Sequence, residues 1–178
     1  MSSIVVYQYP NFQGKSQRFT THVEDLKKTE FGCLAGSAQV TGQPWLAYQN
    51  PYMMDFVKLL EEGDYPDLSA LQVRALRFIV ENLENPHLLL FEKDYFEGRC
   101  VALTQATKLA DVQFDKRARS HYVRSGAWLL YDSESKNGRC LLATAGECKN
   151  YEGLNFHDKL SYAVPMKAGN SMRSYSLA

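Results

Sequence analysis

The sequence predicts an all-β protein made of two similar β-sandwich domains, and three observations lead there. Tyr7, Tyr48, Phe91 and Tyr131 each follow a short apolar run and lie 41, 43 and 40 residues apart; glycine follows seven residues later in three cases, at Gly14, Gly98 and Gly138. A fixed period of about 40 residues marks a repeated structural unit. A longer period is sharper: Trp45 and Trp128, Tyr48 and Tyr131, Gly63 and Gly146, and Ser37 and Ser120 are all 83 residues apart. The apolar runs are also short, alternating and rich in aromatic and branched residues, as half-buried strands require.

In chain order these runs are IVVYQY, SAQVTG, WLAYQ, LRFIV, LLLFE, CVALT, HYVRS, WLLYD and CLLATA. Turn signals recur about every ten residues, the rhythm of a sandwich and not of a βαβ unit. Asn11, Gln13 and Gly14, and later the Asn137-Gly138 pair, mark tight hairpins in the first and fourth repeats. Helix is expected only as single turns, over Val23–Thr29 and over Pro66–Leu71, where proline sits in a first-turn position. The polar string ENLENP separates two apolar runs and reads as a linker. The expected organisation is a first domain over 1–82, a linker at 83–86, a second domain over 87–166 and a polar tail at 167–178.

Composition narrows the function classes. Of 178 residues, 45% are hydrophobic and 12% aromatic, enough to build a core, and 20 basic residues balance 20 acidic ones. Zero net charge removes the electrostatic footprint of a nucleic-acid binder or a polybasic membrane-surface protein. The start MSSIVVYQYP lacks a basic segment followed by a long apolar run, and no stretch is long and apolar enough for a membrane helix. The expected location is therefore cytoplasmic, with unconventional secretion left open and direct membrane insertion not expected. Cys33, Cys100, Cys140 and Cys148 show no CxxC spacing and are too sparse for a disulfide scaffold.

Tyr7, Phe12 and Gly14 in the first repeat, and Phe91, Phe96 and Gly98 in the third, form an aromatic, aromatic, glycine string that resembles the βγ-crystallin Greek-key signature. The resemblance covers about residues 4–166. It implies two Greek-key sandwich domains in which the glycine permits a sharp turn and a serine closes each repeat by tying back to the folded hairpin. Ser37, Ser120 and Ser161 stand where that serine is expected. Two repeats depart from the pattern. The second has Met53 at the second aromatic position, Asp55 for glycine and Gln72 for serine; the fourth keeps Gly138 but carries Lys136 at the aromatic position. IVVYQYPNFQGKSQRF and TGQPWLAY are similar to the amphibian epidermal differentiation-specific branch of non-lens members, some of which join crystallin domains to an aerolysin-like pore-forming half. Trp45 and Trp128, inside apolar strands, are expected in the two cores.

Many relatives bind calcium through two Asn or Asp residues, two variable residues, Ser or Thr, and the signature serine. Calcium wants six to eight oxygen ligands. The corresponding windows read GCLAGS, DLSALQ, DKRARS and FHDKLS, whose fifth positions, Gly36, Leu71, Arg119 and Leu160, supply no hydroxyl. Asp67 and Asp115 come nearest to ligands, and Asp115 is followed by Lys116, Arg117 and Arg119. The expectation is no tight calcium site and no other cofactor, with a weak site near Asp115 or Asp67 as the alternative. His22, His87, His121 and His157 are scattered without metal-ligand spacing, and no nucleophile or phosphate-binding motif occurs. The sequence reading is a non-enzymatic structural protein. The alternative is a binding or assembly module, either the crystallin half of an aerolysin-like pore-forming complex or a weak calcium-binding protein, with a second copy or another protein as its partner.

Overall fold

The computed structural model describes residues 1–170 and divides into two compact units, one over 1–80 together with 167–170, the other over 81–166. The first unit contains β1 (Ser3–Tyr9), β2 (Gln13–Phe19), β3 (Ser37–Thr41), β4 (Trp45–Asn50), β5 (Met54–Leu60), β6 (Gly63–Tyr65) and β7 (Ala75–Phe78). The second contains β8 (His87–Phe91), β9 (Cys100–Leu103), β10 (Thr107–Lys108), β11 (Ser120–Ser125), β12 (Trp128–Tyr131), β13 (Cys140–Ala143), β14 (Gly146–Cys148) and β15 (Tyr162–Pro165). The expected helical turns appear as single 3-10 turns at Leu26–Lys28 and Ser69–Leu71.

Strand exchange explains why two repeats are needed for one domain. In the first unit the sheet β2-β1-β3-β6 takes its last strand from the second repeat, and the sheet β5-β4-β7 receives an isolated bridge from Val23 of the first repeat to Leu76. In the second unit the sheets are β14-β11-β8-β9 and β10-β15-β12-β13, so β14 and β10 each cross into the other repeat's sheet. Each repeat thus completes its partner's sheet, a pairing of sequence-distant strands that buries an edge. Side chains from both sheets meet in a core around Trp45 in the first unit and around Trp128 in the second, and both indoles are fully buried.

The stretch expected as a linker is built into the second unit. Leu83 is buried, the Asn85 carbonyl accepts from the Ser125 hydroxyl at 2.5 Å, and Pro86 packs against Gly126. The start of the expected tail is likewise tied down. The Lys167 amide donates to Glu61 at 3.1 Å and the Gly169 amide to the Gly42 carbonyl at 3.0 Å, both in the first unit. The rest of the tail lies outside the described residues.

Three hairpins fold back in one conformation. Asn11 and Phe12, Tyr52 and Met53, and Tyr95 and Phe96 all have φ between 57° and 63°, in the left-handed region. Each is docked by an amide reaching the other repeat of its unit: Asn11 to the Pro66 carbonyl, Tyr52 to Glu24 and Tyr95 to Lys149, at 2.7, 2.9 and 2.8 Å. Gly14 and Gly98 follow at φ 82° and 77°, and the equivalent Asp55 is forced to 61°. Loss of the glycine therefore leaves the turn intact, because docking holds a backbone that a side chain disfavours. Asp55→Gly is expected to stabilise the first unit by about 0.5–1 kcal/mol, relief of strain exceeding the entropy that glycine gains when unfolded. Urea unfolding measures it; an unchanged midpoint would mean that the Asn50 amide bond to the Asp55 carboxylate offsets the strain.

Candidate functional site

The serine tie is present in one repeat of each unit. Ser37 Oγ accepts from the Phe12 amide at 2.9 Å and donates to the Tyr9 carbonyl at 2.7 Å. Ser120 Oγ accepts from the Phe96 amide at 3.2 Å and donates to the Lys93 carbonyl at 2.6 Å. Above each tie the aromatic pair packs edge to face, Tyr7 on Phe12 at 5.6 Å and Phe91 on Phe96 at 5.5 Å. Such a pair covers the backbone bonds of the turn from water.

Strand register moves the equivalent positions in the other two repeats. Tyr7 faces Ser37 and Phe91 faces Ser120, but Tyr48 faces Ala75 and Tyr131 faces Tyr162. The signature position is therefore Ala75, not Gln72, in the second repeat and Tyr162, not Ser161, in the fourth. Gln72 instead ends the 3-10 turn at φ 55°, as Gln113 and Asn155 do in the third and fourth repeats. Between Gln113 and Ser120 run residues 114–119, and between Asn155 and Tyr162 run 156–161, whereas only Val73 and Arg74 separate Gln72 from Ala75. The window in the second repeat slipped because that repeat lacks most of this loop; the one in the fourth is off by a single residue although its loop matches the third's in length. The fourth repeat departs further: Lys136 places its ammonium 6.0 Å from the Tyr131 ring centre and 5.3 Å from that of Tyr162, standing in for the missing aromatic. Gly138 has no positive φ there; a side chain at this point would run into the Asp132 carboxylate.

With register corrected, the fifth position of the calcium motif is Gly36, Arg74, Arg119 and Ser161. Ser161 does carry a hydroxyl, and Asp158 becomes an acid at the second position, both missed in the sequence windows. Asp67 drops out of the motif: its carboxylate caps its own turn, accepting from the Ser69 amide and hydroxyl at 3.0 and 2.5 Å, and these bonds hold its pKa below the ordinary value. Asp115 lines a shallow depression in the second unit with Glu92, Lys93, Lys116, Arg117, Arg119 and Asp158. Both Asp158 oxygens there are taken by the Arg119 guanidinium, at 3.1 and 2.8 Å, and Glu92 faces Arg117 at 3.6 Å. The hydrogen bond from Arg119 keeps the Asp158 carboxyl ionised to lower pH than usual. Asp115 Oδ1 is buried without a hydrogen-bond partner among the described residues. Four cations against three carboxylates, one of them doubly engaged, are a poor match for a divalent ion that needs six or more oxygens.

A second set of basic residues went unnoticed in the sequence. Arg99 donates to the Gln113 and Val112 carbonyls at 2.7 and 2.9 Å and lies 5.4 Å over the Phe114 ring. Arg139 does the same at Asn155 and Leu154, at 3.1 and 3.0 Å, and lies 4.6 Å over Phe156. In the first repeat Lys15 reaches the Glu30 carbonyl at 2.5 Å, just before the buried Phe31. The signal was present as Gly14-Lys15, Gly98-Arg99 and Gly138-Arg139, a basic residue directly after each turn glycine. Arg99 and Arg139 satisfy carbonyls left open at a 3-10 terminus while shielding the core aromatic.

No group of three or more His, Cys, Asp or Glu that could hold a metal ion occurs among the described residues. The histidines stay apart. His22 accepts from the Phe78 amide at 3.0 Å, His157 lies 3.2 Å from Asp94, and His121 is buried with Nδ1 2.8 Å from the Tyr151 hydroxyl. No described helix is long and apolar enough to cross a membrane.

Comparison with known proteins agrees with this architecture. The Beta/Gamma crystallin family profile matches residues 3–79 and 87–161. The chain is 35% identical over 173 residues to an epidermal differentiation-specific protein of Cynops pyrrhogaster, covering 96% of this chain and 52% of that one. It is 32% identical over 160 residues to Beta/gamma crystallin domain-containing protein 1 of Homo sapiens, covering 84% of this chain and 7% of that protein. The chain thus spans about half the length of the first relative and a small part of the second. Among solved structures, a beta gamma crystallin from Ciona intestinalis shares 27% identity with a TM-score of 0.43, covering 45% of this chain and 99% of that one. Repeats that complete each other's sheets, hairpins folded under an aromatic pair and a profile match across both units lead to one conclusion: the chain belongs to the beta/gamma crystallin family, with two such domains in tandem.

Proposed function

We propose that this chain is a non-enzymatic crystallin-domain pair that works as a stable scaffold independent of calcium. The observation that carries the reading is the charge set of the loop depression in the second unit, where Arg119 engages both Asp158 oxygens. Repeats joined by strand exchange need no ligand to close their cores, and the scattered histidines offer no nucleophile, base and orienting group in sequence. Isothermal titration of chelator-treated protein with calcium is expected to be flat, and the melting temperature to be the same in chelator and in millimolar calcium. A saturable isotherm with a raised melting temperature would overturn this reading.

A second reading is an assembly module. It is favoured by the coverage of only 52% of the Cynops pyrrhogaster relative, which implies further chain beside such domains in related proteins. Under it, the pair would hold a second copy or another protein in a larger assembly, for which an aerolysin-like pore-forming partner is one form. Strictly monomeric behaviour at all concentrations, with no partner retained, would count against it.

A further inference from the structure

We infer that the first unit carries a built seat for a short segment of small residues, and that residues 167–169 of the same chain fill it as a strap across the turn where the chain leaves that unit.

The seat is the turn between β3 and β4, residues 42–44, together with the turn between β5 and β6. The β3–β4 turn gathers three distant stretches of the unit. The Gln43 amide donates to the Ser2 hydroxyl at 3.0 Å, the Gly42 amide to the Glu62 carboxylate at 2.7 Å, and the Ile79 amide to the Pro44 carbonyl at 3.2 Å. The Gln43 side chain donates in turn to the Ile79 carbonyl at 3.1 Å, so both backbone groups of Ile79 are held just before the chain passes to the second unit. The strap is the fourth stretch. The Gly169 amide donates to the Gly42 carbonyl at 3.0 Å and the Lys167 amide to the Glu61 carboxylate at 3.1 Å, so amides two residues apart meet acceptors on two different turns. Gly42 is buried, and loss of the strap would leave its carbonyl without this donor.

Space fits the strap to this place as closely as hydrogen bonding does. Gly169 is outside the left-handed region, and its glycine is required by a close approach: a side chain there would run into the Cβ, Cδ and Oε1 atoms of Glu62. The Glu62 Cβ is fixed by its own backbone and cannot swing aside, and the carboxylate beyond it is committed to the Gly42 amide. Gly42 is limited in the same way, at φ 85° with Ser2 Cα and Cβ 3.1 Å from where its side chain would begin. The seat therefore recognises main-chain amides and excludes a side chain at one position. It fits a short glycine-bearing segment, and the segment that returns from the second unit supplies one.

The test reads amide exchange by NMR and thermal unfolding of the full chain for wild type, Gly169→Ala, Glu61→Ala, their double variant and Gly153→Ala, which adds a Cβ where nothing lies within 4 Å. Gly169→Ala is expected to speed exchange at Lys167 about tenfold or more and to lower the melting temperature of the first unit by about 5 °C. Glu61→Ala, which leaves the Glu61 carbonyl free to accept from Tyr65, is expected to act in the same direction by less. With the strap already out, Glu61 has nothing to hold, so the double variant is expected to melt with Gly169→Ala and not lower by the sum. Gly153→Ala is expected not to melt lower. A Gly169→Ala protein that melts and exchanges as wild type does would overturn the inference, as would fast exchange at Lys167 in wild type or strictly additive losses in the double variant. A wild-type melting temperature that rises with protein concentration would also overturn it, because the seat would then be filled by the segment of a second copy. If Gly169→Ala does not fold, Glu61→Ala alone is read by the same exchange and melting criteria.

Discussion

Trp128→Ala is expected to destabilise the second unit by about 4 kcal/mol, a large share of what a domain of this size has in total. The indole is 0% exposed at the head of β12, among side chains from both sheets, so truncation leaves a cavity that the two faces cannot close without breaking strand register. Trp45 at the head of β4 is its counterpart, also 0% exposed, and Trp45→Ala is expected to cost as much in the first unit. Replacement by phenylalanine separates them. Trp128 Nε1 donates to the Ser125 carbonyl at 3.4 Å, whereas Trp45 Nε1 is buried with no hydrogen-bond partner among the described residues. Trp45→Phe removes an unsatisfied donor and is expected to be milder than Trp128→Phe by about 1 kcal/mol. Urea unfolding of the four variants checks both statements, and the reverse order for the phenylalanine pair would show that the Trp45 donor is satisfied in solution.

Acid is expected to destabilise the second unit progressively from about pH 6.5 downward, a decline that starts above the range in which carboxylates titrate. His121 on β11 is 5% exposed, and burial lowers its pKa from the ordinary 6.5 to about 4. Neither neighbour offers a compensating anion: burial raises the Tyr151 hydroxyl well above its usual range, and it raises the thiol of Cys148, which faces His121 across the sheet. With the folded pKa below the unfolded one, the unfolded chain binds more protons between these values, so stability present above pH 6.5 is lost as pH falls toward 4. At about 1.4 kcal/mol per pH unit the loss reaches about 3 kcal/mol near pH 4. Asp25 and Asp158, whose pKa values are lowered chiefly by hydrogen bonds from Arg74 and Arg119, contribute stability above pH 3.8 that is lost only below it. The two windows can thus be separated. Denaturant titrations from pH 7.5 to 4 should show the decline, and His121→Gln, which cannot titrate, should flatten it. A slope unchanged by His121→Gln would mean that the imidazole reaches solvent and protonates in the folded state.

The sequence by itself determined the architecture. Four aromatic-led runs at regular spacing and an 83-residue echo fix a fourfold repeat paired into two halves, because strands must alternate faces and turns must recur wherever backbone reverses. It also marked Tyr7, Phe12 and Gly14, with Phe91, Phe96 and Gly98, as folded hairpins, and Trp45 and Trp128 as core, since each depends on local chemistry. Tertiary structure alone decided register and partnership. Ser37 and Ser120 do sit at the closing position, but Gln72 misses it because the shortened loop of the second repeat leaves no periodic trace, and Ser161 misses it by one residue because a serine beside the register position mimics the signature. The same contacts decided that Asp55 can keep a glycine's conformation under docking from Glu24. They also decided that Arg74 and Arg119 face Asp25 and Asp158, because each pair joins residues from different repeats and only folding brings those together.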